Sequence, residues 1–347
     1  MAASRFGRSL LNAALLVALA AACDRSGNQD PVWVTGAGAT FPYPVYSKWF
    51  HSYHAATGHQ VNYQSVGSGA GVMQYARGTI DFGATDGPMT DAELAAVDNE
   101  VLHIPTVLGA VVLTWNLPAL GDAQLRFDGT TIADIFLGRI TRWNDPRIAA
   151  LNPGVALPEQ DLLVVHRSDG SGTTFIFTDY LAKVSPEWQE QVGVGKAVNW
   201  PSGLGGKGNE GVTQQIKQVE GTLGYVELIF AAENDLPYAQ VQNRAGEFVT
   251  PSMESVTAAA AGIDLPDDTD FRVSITDPPG PGAYPISSFT WLLIRPVHPD
   301  SSTNAAIHEF LRWMIGDEAQ QQAAALHYAP LPERVRELIR TRLATRQ

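Results

Sequence analysis

The chain has 347 residues, enough for two ordinary domains, and its 45% hydrophobic and 17% charged content is that of a water-soluble globular protein. A formal charge of -13 with no basic run excludes general attraction to nucleic acid or anionic headgroups, so an anionic ligand would need a local site. The single cysteine excludes an internal disulfide, and the 32 glycines and 22 prolines are scattered without repeat or low-complexity block.

At the N-terminus, Arg5 and Arg8 precede the apolar run LLNAALLVALAAA (10–22), which is short for a membrane span and has the small-residue ending of an export signal. Its end, Leu-Ala-Ala-Ala-Cys (19–23), resembles the lipobox of bacterial lipoproteins. That resemblance implies removal of residues 1–22 as a signal peptide, acylation of Cys23, and a lipidated linker over 23–31. Several acyl chains make a stable anchor, since each buried methylene contributes about 0.8 kcal/mol. Asp24 resembles the inner-membrane retention signal of Gram-negative lipoproteins, which would keep the protein at the inner membrane facing the periplasm. Loss of Arg5 and Arg8 leaves 21 basic against 36 acidic residues, a formal charge of -15.

Beyond residue 31, helical patterns alternate with runs rich in β-branched and aromatic residues. A helix is predicted over 43–57, a strand over 61–66, a helix over 71–78, a strand over 80–85 and a helix over 91–98. A strand over 107–116, a helix over 131–138, a strand over 162–166 and a helix over 174–184 follow. A helix over 209–218, strands over 224–230 and 286–294, and two or three helices within 303–345 complete the chain. Strands separated by helices predict an α/β architecture with largely parallel sheets.

Several predicted helices open on glycine and hydroxyl residues: GAGATFPYP (36–44) with Thr40, VGSGAG (66–71) with Ser68, and SDGSGTT (168–174). Thr90 and Glu93 form a capping box. Free N–H groups and the helix dipole suit such starts to anions, and glycine lets a ligand approach closely. Arg167 closes an apolar strand beside SDGSGTT, where its guanidinium would offer paired donors to an oxyanion and Asp169 could hold it; the two could equally form a structural ion pair. Asp86 follows the run IDFGAT (80–85), as a turn residue or as a site member. In a site it would repel a fully deprotonated anion and accept one that carries a proton, as phosphate does near neutral pH and sulfate does not.

Other chemistries fit less well. Asp169-Gly-Ser-Gly-Thr173 lacks the first glycine of a nucleophile elbow, and no histidine is singled out as a base for Ser171. GLGGKGNEG (203–211) has Lys207 but no Ser or Thr after it, so it reads as a tight loop feeding a helix rather than a P-loop. His51, His54 and His59 lack cysteine or acid partners at metal-ligand spacing and read as solvent-exposed surface residues.

The blocks GAGATFPYPVYSKW (36–49), VNYQSVGSGAGV (61–72), DFGATDGPM (81–89), HRSDGSGTTFIFTDYLAKV (166–184) and GLGGKGNEGV (203–212) resemble those of the substrate-binding protein of the bacterial high-affinity phosphate ABC transporter. TIADIFLGRITRWND (131–145) and ISSFTWLLI (286–294) extend the resemblance over nearly all of the mature chain.

It implies a type II periplasmic-binding-protein fold, in which two α/β lobes joined by a two-segment hinge hold the ligand in their cleft. Crossovers would lie near 106–111 and 281–287, with 32–107 plus 286–347 as lobe 1 and 108–285 as lobe 2.

Carried onto this chain, Thr40 and Phe41 would supply N–H groups, and Ser68 its hydroxyl and N–H. Asp86 would take the phosphate proton, and Arg167, oriented by Asp169, would donate to phosphate oxygens. Ser171, Gly172 and Thr173 would give N–H groups, with hydroxyls from Ser171 and Thr173. The resemblance further implies a monomer without cofactor, metal or catalytic residue that delivers phosphate to an inner-membrane ABC permease and its ATPase. His166 stands where a basic neighbour of Arg167 is more usual, and the lipid anchor departs from freely soluble members.

Overall fold

The computed structural model describes residues 31–344; the signal peptide, Cys23 and nearly all of the linker lie outside the described residues. The order begins β1 (Trp33–Gly38), α1 (Tyr43–Thr57), β2 (Gln60–Ser65), α2 (Ser68–Ala76), β3 (Phe82–Thr85), α3 (Asp91–Ala95) and β4 (Leu102–Asn116). It continues with β5 (Arg126–Phe127), α4 (Gly129–Phe136), α5 (Pro146–Leu151), β6 (Leu163–Arg167), α6 (Gly172–Val184), α7 (Pro186–Gln191), β7 (Leu204–Gly206) and α8 (Gly208–Gln218). Next come β8 (Thr222–Glu227), α9 (Leu228–Ala232), β9 (Gln240–Gln242), β10 (Phe248–Val249), α10 (Met253–Ala260) and β11 (Ser287–Ile294). The helices α11 (Ser301–Met314), α12 (Asp317–Ala324) and α13 (Glu333–Ala344) close the described chain.

The main sheet has the order β2-β1-β3-β11-β4-β8-β6-β7, and β10-β9-β5 form a small second sheet. β1 pairs in parallel with β2 and β3, and β6 with β7 and β8. The centre is antiparallel, through β3–β11, β11–β4 and β4–β8, so the expectation of largely parallel sheets is corrected to a mixed sheet. β4 is buried over almost its whole length, which explains why its middle, Val107–Leu113, is an unbroken apolar run rather than an alternation. It pairs with β11 through Leu102–Ala110 and with β8 through Val111–Asn116, so one strand belongs to both halves of the sheet. Helices α11, α12 and α13 return to pack against the first half, on β1, α1 and β4.

The elements differ from the sequence expectations at definable places. β1 was not expected as a strand, because its β-formers Trp33, Val34 and Thr35 are followed directly by Gly-Ala-Gly. α2 starts at Ser68 rather than 71, and α6 at Gly172 rather than 174. The strand expected over 224–230 ends at Glu227, whose side chain accepts the Ile229 N–H and starts α9. Leu204–Gly206, expected as loop, is an edge strand. His59 is buried rather than exposed, and its Nδ1 accepts the Val32 N–H.

A core of buried tryptophans fills both halves, and each of four indoles reaches a carbonyl: Trp49 to Ala319, Trp143 to Gly221, Trp188 to Gly193 and Trp291 to Phe271. α2 lies so close to the sheet that a Cβ on Gly71 would stand 2.4 Å from Gly38 Cα, 2.7 Å from Ala37 O and 3.0 Å from Ala84 O. These are backbone atoms that cannot swing aside. Gly71→Ala is therefore expected to destabilise the protein by about 1–3 kcal/mol in urea denaturation. Gly262→Ala, at a position with nothing within 4 Å, should stay within about 0.5 kcal/mol.

Candidate functional site

Parallel pairing of β1, β2 and β3 gathers their C-terminal ends along one edge, and Thr40, Ser68 and Asp86 stand just beyond those ends. β6 and β7, also parallel, place Arg167 and Gly208 at the corresponding edge of the second half. Ligands of α/β proteins bind at this end of parallel strands, where helix N-termini point into the crevice.

The two edges meet. Gly69 N–H donates to Gly170 O at 2.8 Å, and Asn209 Nδ2 donates to Thr40 Oγ1 at 2.8 Å. Lys196 Nζ reaches Glu93 Oε2 at 2.9 Å and Pro88 O at 3.0 Å, and Arg272 reaches Asp91 at 2.8 Å and Met89 O at 3.1 Å. All these contacts run between the β1–β3 side and the β6–β8 side of the cleft.

Between the edges, the residues singled out from sequence form a contiguous ring. Ser68 Oγ lies 3.3 Å from Asp86 Oδ2 and accepts the Asp86 N–H at 3.2 Å. Asp86 packs on the start of α6, where a Cβ added to Gly172 would lie 2.6 Å from its Cβ, N and Oδ2; only glycine permits that approach. Next in the ring is Thr173, whose Oγ1 accepts from Arg167 NH1 at 3.3 Å and from Asn209 Nδ2 at 3.2 Å. Asn209 closes it on Thr40, and Phe41 follows with its carbonyl held by Tyr328 OH at 2.6 Å. Thr40, Phe41, Ser68, Asp86, Arg167, Ser171 and Thr173 are all buried.

Among the described residues, the N–H groups of Thr40, Phe41, Ser68, Gly172 and Thr173 have no backbone or side-chain acceptor. A buried N–H without a partner is costly, so this cluster is suited to an anion. Ser171 behaves differently from the expectation. Its N–H donates to Lys196 O at 2.7 Å, and its Oγ caps α6 by accepting the Thr174 N–H at 3.1 Å. Its N–H is therefore taken within the fold, while the proton of its hydroxyl remains to be given.

Arg167 and Asp169 form a two-pronged pair, with Nε–Oδ1 at 2.9 Å and NH2–Oδ2 at 2.6 Å. Burial pushes the Asp169 carboxyl up, but the Arg167 guanidinium and the Gly208 N–H outweigh it and hold it below the usual range. Asp86 is the opposite case. Burial pushes its carboxyl up to about 7, against the lowering effect of the Thr290 hydroxyl (2.7 Å to Oδ1), of Arg167, of Ser68 and of Lys196. Thr290 is brought there by the antiparallel pairing of β11 with β3, in which Trp291 stands opposite Thr85; on its other side β11 pairs Thr290 with Val107 and Trp291 with Pro105, leaving Thr106 as the extra residue of a bulge in β4.

Thr290, Asn209, Lys196 and Glu93 take part although none was read from sequence as a site residue. Only Asn209 gave a signal, as a polar residue inside a glycine-rich block. A cavity of about 390 Å³ beside the ring, lined by Met89, Asp91, Phe175, Asp179, Asp270 and Arg272, carries three acids to one base and does not suit an anion.

Comparison with known proteins places these features in a family. The model of the PBP superfamily domain matches residues 23–318. The phosphate-binding protein PstS of Xylella fastidiosa is 46% identical over 301 residues, covering 87% of this chain and 82% of its own. That of Pasteurella multocida is 46% identical over 312 residues, covering 90% of each. Among solved structures, a high-affinity periplasmic phosphate-binding protein bound with phosphate superposes with a TM-score of 0.71 at 21% identity, covering 89% of this chain and 93% of its own. The two-lobed fold is thus that of periplasmic binding proteins.

The raised Asp86 carboxyl has a consequence for stability. Below about pH 4 both folded and unfolded chains hold its proton. Between there and about 7 only the folded chain does, so the stability it contributes is full at low pH and lost as pH rises through about 7. Asp86→Asn is therefore expected to melt higher than the unchanged protein at pH 8, by an amount on the order of 2–4 kcal/mol. That advantage should shrink toward pH 5 in buffer free of tetrahedral anions. An equal difference at both pH values would refute the assignment.

Proposed function

Because the chain belongs to the PstS phosphate-binding protein family within the PBP superfamily, we propose that it binds inorganic phosphate between its lobes and delivers it to an inner-membrane ABC permease. The observation that carries this reading is the ring itself: five backbone N–H groups without acceptors, one guanidinium held flat by a carboxylate, and a single further carboxylate, Asp86, among them.

Thr40, Phe41, Ser68, Gly172 and Thr173 donate N–H groups to phosphate oxygens, and the hydroxyls of Thr40, Ser68, Ser171 and Thr173 add theirs. Arg167, oriented by Asp169, supplies charge-assisted bonds. Asp86 accepts the proton that phosphate keeps near neutral pH. Lobe 1 comprises 32–107 plus 286–347 and lobe 2 108–285, and binding free energy drives closure at the crossovers. Cys23 carries the lipid anchor at the periplasmic face of the inner membrane, and the protein acts as a monomer.

No covalent step is involved. The hydrogen-bond partners of Ser171 include neither a histidine nor a carboxylate, so its hydroxyl has no base to activate it.

Titration calorimetry with phosphate and sulfate tests the reading. At pH 8 phosphate should bind more tightly than sulfate by roughly 10⁴-fold or more, because sulfate leaves Asp86 facing an oxygen without a proton. As pH falls from 8 to 6, Asp86 gains its own proton and can donate, so sulfate affinity should rise about tenfold. Sulfate binding as tightly as phosphate at pH 8 would overturn the role of Asp86. Hydrolysis of a phosphate ester that is lost in Ser171→Ala would overturn the binding-protein reading as a whole.

A further inference from the structure

Asn209, the second residue of α8, is fully buried between the two halves of the ring. Its amide orientation is set by the backbone: Oδ1 accepts the Glu227 N–H at 3.0 Å, so the other end must be the NH₂ group. That group donates to Thr40 Oγ1 at 2.8 Å and to Thr173 Oγ1 at 3.2 Å. The Asn209 backbone N–H donates to Thr40 Oγ1 as well, at 3.2 Å, and Arg167 NH1 donates to Thr173 Oγ1 at 3.3 Å. Each threonine oxygen therefore receives two donors.

A hydroxyl has two lone pairs and one proton. With both lone pairs occupied, Thr40 and Thr173 can only donate. We propose that Asn209 is a positioning residue that locks the Thr40 and Thr173 hydroxyls, on opposite lobes, as donors toward the anion. A ligand oxygen bearing a proton then finds no acceptor at either threonine, and Asp86 is left as the place for that proton. The Thr40 contact spans the cleft, so the locking is completed only on closure. The proposal rests on the phosphate-binding reading above and adds a residue that does not itself touch the ligand.

A double-mutant cycle read by calorimetry with inorganic phosphate tests it. Asn209→Ala should weaken phosphate binding by roughly 10–100-fold. In a Thr40→Val/Thr173→Val background the same change should cost less than about threefold, because the hydroxyls it acts through are gone. A full, multiplicative loss in that background would overturn the proposal and mark Asn209 as merely structural. Asn209→Asp guards against misfolding, since it is isosteric and keeps the acceptor for the Glu227 N–H. At pH 8 its carboxylate has no donors, so it should bind phosphate at least as weakly as Asn209→Ala. Wild-type affinity in Asn209→Asp would also overturn the proposal. Failure of the unchanged protein to prefer phosphate over sulfate would instead count against the phosphate-binding reading.

Discussion

One strand has to serve both halves of the main sheet. β4 exchanges its partner from β11 to β8 between Ala110 and Val111, and the rest of the architecture follows from that exchange. It fixes the first half, whose parallel strands end at Thr40, Ser68 and Asp86, against the second, whose parallel strands end at Arg167 and Gly208. β11, the partner of β4 in the first half, also pairs with β3 and so brings the Thr290 hydroxyl onto Asp86. With both faces of the strand covered, a slip by one residue would send every side chain into the layer packed for its neighbour, so the register between the halves is set by packing.

The electrostatics of the ring are those of a site that binds by dipoles more than by net charge. Arg167 is the ring's one guanidinium, and Asp169 already balances it. Asp86 lies at its titration point near neutral pH, and burial drives the neighbouring Glu227 well above the usual carboxylate range. The surroundings are no more favourable, with a formal charge of -13 over the whole chain. In the proposed site, affinity comes from N–H groups fixed in advance, which need no reorganisation when an anion arrives. A strongly basic site would hold sulfate and phosphate alike. A nearly neutral one can let a single proton decide.

Most of the ring was legible because its members lie where sequence signals are strong. Glycine and hydroxyl residues at helix starts, an arginine at the end of an apolar strand, and an acid at a strand end mark chain positions that α/β topology brings together. What escaped did so for physical reasons. β1 is a buried parallel strand whose glycines serve close packing, so WVTGAG looks like a loop. GYVELIF is rich in β-formers, but a Glu227 cap turns its second half into α9. Thr290, Lys196 and Glu93 become neighbours of the ring only through pairing of distant strands or through contact across the cleft, which no local pattern encodes. For Ser171 the pattern gave the position and missed the chemistry, since the carbonyl that takes its N–H belongs to Lys196, twenty-five residues further along the chain.

The contacts that hold the lobes together bear on how such a protein can release what it binds. They include polar links across the cleft: Gly69 to Gly170, Asn209 to Thr40, Lys196 to Glu93, and Arg272 to Asp91. Each exchanges protein–water for protein–protein bonds on closure, and an exposed ion pair such as Arg272–Asp91 is typically worth about 0–1 kcal/mol. Such a seam sets the orientation of the lobes without committing them to closure. On the proposed reading, the large gain is reserved for the five N–H groups of the ring without protein acceptors, which a bound anion satisfies together. Coupling closure to those groups makes the closed form a report of occupancy, and a partner that recognises it would engage loaded protein in preference to empty.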